Sequence, residues 1–110
     1  MKTPEPFVGK WRINHMEEWD QDFVDLEVPG HVTIRKDGTG FFQFGAVQGE
    51  MDCRIQKSGD DPVLGFSWEG SDECDPASGR GWVKVNGKRM EGHLYFHLGD
   101  DSAFTAKKTK

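Results

Sequence analysis

Two cysteines, Cys53 and Cys74, in 110 residues are too few for the disulfide framework of a small secreted domain. They read as reduced thiols in a cytoplasmic protein. No apolar run approaches the ~20 residues of a membrane-spanning helix, and the opening MKTPEPFVGKW has no apolar stretch of the signal-peptide kind. No membrane partner is expected. Positive charge is also scarce: 14 Lys and Arg stand against 19 Asp and Glu, and the one basic cluster is the tail Lys107, Lys108 and Lys110. A duplex-binding surface needs clustered cations to displace counterions, so no nucleic-acid partner is expected either. The chain has no nucleophile elbow, and no Gly-rich loop linking a strand to a helix. It has no Cys-x-x-Cys pair and no loop with the spaced oxygen ligands of an EF-hand. Gly79-Arg80-Gly81 is too short to cradle a phosphate. These motif absences leave no specific signature of a catalytic residue, a metal site or a cofactor.

What is abundant is glycine, 14 residues, and phenylalanine, eight. Both suit a β-protein with many tight turns, built as one domain over residues 1–110. Residues 7–16 alternate with period two, placing Trp11, Ile13 and His15 on one face. The period then changes. Met16, Trp19, Phe23 and Leu26 recur at three to four residues and predict a short amphipathic helix ended by Val28-Pro29-Gly30. Strands follow at 31–36, 41–45, 47–57 and 63–69, separated by turns at Asp37-Gly38 and Ser58 to Pro62. Phe66 to Trp82 reads as a strand, then a long acidic loop with Asp72, Glu73 and Asp75, then a strand entered through Gly79-Arg80-Gly81-Trp82. Asn86-Gly87 predicts a two-residue turn that pairs Val85 with Lys88 and Val83 with Met90. Strand seven carries Leu94 and Phe96, and strand eight, 102–107, is anchored by Phe104.

Eight short strands joined mostly by tight turns predict an all-β, eight-stranded antiparallel up-and-down meander with one short helix after strand one. Closure removes the unpaired edges of such a meander, so a small barrel is expected. Its inward set includes Trp11, Ile13, Val32, Ile34, Phe44, Met51, Cys53, Ile55, Leu64, Phe66, Trp68, Val83, Val85, Met90, Leu94, Phe96 and Phe104. Phe41 and Phe42 remain undecided, because a one-residue slip reverses their faces. That many large side chains should fill a small barrel. The segment Gly9-Lys10-Trp11 resembles the Gly-x-Trp opening of the lipocalin and calycin barrels, whose meanders enclose small apolar ligands. That resemblance implies a calycin-like fold and, as one option, carriage of a small apolar ligand. The second lipocalin signature, a Thr-Asp-Tyr triplet, has no counterpart here. The run from Trp68 to Trp82 also resembles a core found in small uncharacterised bacterial proteins, and it implies no activity.

In an up-and-down meander successive connections alternate between the two mouths. The helix, the turn after strand three, the acidic loop and the turn at Asp100 therefore share one mouth. Its rim gathers Asp20, Asp22, Asp25, Glu27, Asp72, Glu73, Asp75, Asp100 and Asp101, with Arg80 as the nearby cation. Loops on one rim of a rigid scaffold commonly carry function, although acids also favour turns and keep a small protein soluble. Trp82 should point outside the barrel beside His93, Tyr95 and His97, a composition of the kind found at protein interfaces. The expected site is therefore Trp19, Asp22, Asp72, Glu73, Asp75, Arg80, Trp82, Tyr95 and His97. The expected role is non-enzymatic binding of a partner protein or of a second copy. The alternatives are a lipocalin-like carrier and a metal-assisted enzyme at the rim, where His15, His31 and His97 lie beside carboxylates.

Overall fold

A computed structural model describes residues 3–109 of the chain. Eight strands run in order: β1 (Gly9–Met16), β2 (His31–Ile34), β3 (Thr39–Phe44), β4 (Val47–Lys57), β5 (Val63–Asp72), β6 (Asp75–Asn86), β7 (Arg89–Phe96) and β8 (Asp101–Lys108). Each pairs antiparallel with the next, and β8 pairs back onto β1, so the meander closes into a barrel with one short helix, α1 (Gln21–Val24), after β1. Closure leaves no free edge among these strands and directs one face of every strand inward.

Side chains fill that interior by setting glycines against aromatics. Built methyl groups at Gly49, Gly81 and Gly92 would collide with Phe42 and Trp68, with Phe66, and with Phe104 respectively. Large and small residues thus interdigitate across facing strands. The void enclosed by Ile13, Met16, Val32, Phe42, Phe44, Phe66, Leu94 and Phe104 is about 10 Å³. Trp11 closes the far end, its indole N–H donating to the Phe7 carbonyl at 3.0 Å.

Several local expectations are corrected. A β-bulge at Asn14 breaks the alternation of β1. His15 therefore turns to solvent, and Met16 is the residue that enters the core. Phe42 points inward and Phe41 outward, where it lies against His31 with ring centroids 5.9 Å apart. Ile55 pairs with Leu64 but sits where the barrel opens, and it is an exposed hydrophobic residue. Val85 and Phe96, near the two ends, are half-buried.

The helix covers four residues rather than eleven. Asp20 caps it, accepting from the Phe23 N–H at 2.9 Å. Val24 is its fully buried residue, while Leu26 is 63% exposed. Just past the helix, Asp25 accepts from Arg12, from Gln21 of the helix and from the Gly30 N–H, which ties the following turn back to β1.

The acidic loop is not a loop. β5 continues to Asp72 and β6 begins at Asp75, leaving Glu73 and Cys74 as a two-residue turn. Both have positive φ, 50° and 77°, the signature of a type I′ hairpin turn. Asn and Gly usually occupy those positions, so the turn carries no compositional signal.

The Asn86-Gly87 register is likewise shifted. Val85 pairs with Met90 and Val83 with Gly92, and Gly87-Lys88 forms the turn. Gly87 alone has positive φ, 63°, which fits a type II′ turn with glycine first. The shift is even, so the inward faces of both strands are unchanged.

Candidate functional site

The alternation of connections brings four segments to one mouth: residues 17–30, 45–46, 73–74 and 97–100. The helix segment lies across it. The Gly45 N–H donates to the Val24 carbonyl at 2.9 Å, and Phe23 covers Gly45 so closely that a methyl group there would overlap its ring. Trp19 packs on the aromatic end of the core, 5.2 Å from Phe44 and 6.0 Å from Phe96 between ring centroids. Trp19, Phe23 and Phe96 are only half-buried. Beside them opens a groove of about 390 Å³, walled by Asp72, Asp75, His97 and Asp100.

Charge is strongly polarised between the two mouths. Residues 17–30 hold six acids, 72–75 three and 97–101 two, and none of these segments contains Lys or Arg. The opposite mouth receives Arg35, Lys36, Lys57, Lys88, Arg89, Lys107 and Lys108, mixed with Asp37, Asp60 and Asp61.

Some rim acids have internal work. Asp20 caps α1, and Asp25 binds Arg12 at 2.7 Å. Burial pushes the Asp25 pKa up, but the hydrogen bonds from Arg12, Gly30 and Gln21 together outweigh it and hold it below the ordinary value. Asp101 meets His93 Nε2 at 2.5 Å. Among the described residues, Asp22, Asp72, Glu73, Asp75 and Asp100 have no ion-pair partner. No group of three or more His, Cys, Asp or Glu side chains is arranged to hold a metal among the described residues.

The expected site residues fall into two neighbouring surfaces. Trp19, Asp72, Asp75 and His97 line the groove. Asp22 on the helix and Glu73 at the hairpin tip are exposed and lie outside its lining. Arg80, Trp82 and Tyr95 lie on the outer wall of β6 and β7. There Arg80 pairs with Tyr95, its guanidinium 5.1 Å from the ring centre, and Trp82 pairs with His93. Among the described residues, Arg80 forms no ion pair with the rim acids. Small residues flank this aromatic face, Gly65 and Ser67 on β5 and Ala103 on β8. A second depression, about 460 Å³, runs from Arg80 and Tyr95 to His97 and Leu98.

Leu98 and Phe96 were not among the expected site residues. Leu98 is 94% exposed and has φ of +58°, a backbone conformation unfavourable for a bulky side chain. It stands in the β7–β8 turn at the outer depression, beside His97 and Gly99 of the groove wall. In the sequence Leu98 simply extends the period of Leu94 and Phe96, and only the turn reveals it as exposed.

Comparison with protein-family models, curated proteins and solved structures returned no match.

Proposed function

We propose that this protein is a non-enzymatic binding module of the cytoplasm that engages a partner protein, or a second copy of itself. The acidic rim and the adjoining outer face of β6 and β7 form its contact surface. The observation that carries this reading is Leu98, an almost fully exposed leucine in a disfavoured backbone conformation, beside an aromatic face. Strain of this kind clusters at binding and active sites. Tyr95, Trp82 and Arg80 are residue types that dominate interface energetics. The barrel interior supports the same choice over a lipocalin-like carrier. A void of about 10 Å³ is far below the roughly 300–1,000 Å³ of small-molecule pockets.

The test is site-specific photo-crosslinking in the host cell. A photoreactive residue at Leu98 should give a discrete crosslinked species, either to another protein or to a second copy. The same residue at Asp60, at the opposite mouth, should not. Equal crosslinking from both positions, or none from Leu98, overturns the reading.

A further inference from the structure

We propose that the groove at the helix-covered mouth docks a basic segment of the partner protein. One lysine or arginine side chain lies along Trp19, Phe23 and Phe96, with its charge among Asp72, Asp75 and Asp100. The inference rests on the binding-module reading and narrows it to a chemistry.

The groove has two features that such a side chain satisfies together. Its floor is aromatic and half-exposed, and its walls carry three carboxylates without an ion-pair partner among the described residues. A wholly apolar occupant would cover the floor but leave carboxylates crowded at a drier surface, where their repulsion grows. A hydrated inorganic cation would meet the carboxylates but leave the aromatic floor wet. Lysine and arginine pair an apolar stem with a charged end, and aromatic faces attract that charge in addition. The volume of about 390 Å³ suits a side chain and its flanking backbone.

Charge complementarity favours a foreign basic segment over a second copy. The acids of residues 17–30, 72–75 and 97–101 are uninterrupted by any Lys or Arg, an arrangement that favours the approach of a cation. The opposite mouth of a second copy mixes its cations with Asp37, Asp60 and Asp61. Stacking of this mouth on the opposite mouth of a second copy would also be heterologous, without the self-complementary symmetry of a common dimer.

The test is a titration of the full chain, labelled with nitrogen-15, with tetralysine amide and tetra-arginine amide. The Trp19 indole signal is identified with a Trp19→Phe variant. Saturable shifts of that signal are expected at low salt, weakened by added salt. The triple variant Asp72→Asn, Asp75→Asn, Asp100→Asn changes exposed, near-isosteric positions and should lose about tenfold or more in affinity. Tetraglutamine amide should not bind. The inference is overturned by no saturable binding, by equal binding of tetraglutamine amide, by binding unchanged in the triple variant, or by shifts that bypass Trp19. It is also overturned if n-butylamine binds as tightly as tetralysine amide, which marks a site for free amines. The peptides need no natural partner, and crosslinking at Leu98 needs no cation. Failure of the titration alone removes this inference, while failure of the crosslinking removes the module.

Discussion

Arg12 reaches from the middle of β1 to Asp25, beyond the end of α1, at 2.7 Å. That contact ties the residue after the helix to β1, beside the Gly45 N–H to Val24 carbonyl bond that holds the helix segment across the mouth. Asp25 also accepts from the Gly30 N–H at 2.8 Å, so one carboxylate holds both ends of the turn leading into β2.

Asp25→Asn should therefore destabilise the fold by about 1–2 kcal/mol at neutral pH, the usual range for hydrogen bonds to a partly exposed charged group. The folded-state pKa of Asp25 is lowered from about 3.8. Its contribution is thus present above 3.8 and lost as pH falls through the lower folded value. Urea melts from pH 7 to pH 2 should show the gap between wild type and variant closing below pH 4. A constant gap would show that the charge of Asp25 is immaterial.

The β5–β6 turn should be improvable. Glu73 and Cys74 both occupy left-handed backbone conformations that cost a side-chain-bearing residue roughly 1–2 kcal/mol each. The pair Glu73→Asn, Cys74→Gly matches the type I′ preference and should raise stability by about 1–2 kcal/mol in urea denaturation. An unchanged or lower midpoint would show that the turn adopts another geometry.

The two thiols should differ sharply. Cys74 is exposed at the hairpin tip, and Cys53 is fully buried on the inner face of β4. Burial, with a smaller push from Asp52, raises the Cys53 pKa from 9.0 to about 11. A thiol reagent at pH 8 should modify one cysteine quickly, and Cys74→Ser should abolish that reaction. Two should react after unfolding. Because the unfolded thiol ionises first, Cys53 should also erode stability as pH rises above 9.0, and Cys53→Ala should flatten that part of the profile.

Inward glycines should be intolerant for lack of space rather than for backbone freedom. A methyl group at Gly79 would overlap the Tyr95 carbonyl oxygen and sit 2.8 Å from Trp68 Nε1, whose N–H donates to that same carbonyl at 3.1 Å. Gly79→Ala should cost about 1–3 kcal/mol as overpacking and move the Trp68 indole signal in NMR spectra. Gly87→Ala, in open space at positive φ, should cost about 1 kcal/mol and leave that signal in place. Equal effects of the two on the Trp68 signal would contradict this account.

Much of the barrel was legible in the chain itself. Period-two alternation in β4 and β5 placed Met51, Cys53, Leu64, Phe66 and Trp68 inside, as found. Turn residues marked most strand ends, and eight strands with alternating connections put the acidic segments at one mouth. These features are local or topological, so composition and spacing encode them. What tertiary structure decided lies where a local pattern is ambiguous or overridden. The bulge at Asn14 exchanges His15 for Met16, and it is visible only against β8. Glu73-Cys74 lacks turn chemistry and turns because β5 and β6 remain paired to Asp72 and Asp75. The helix ends at Val24, and Arg12, distant in sequence, binds the residue that follows it, Asp25. Leu98 continues an apolar alternation yet points to water, since β7 stops at Phe96 and the chain must turn to reach β8. For the bulge and the helix end the deciding contacts come from another element, and for the two turns from where strand pairing stops, so a reading along the chain has no access to them.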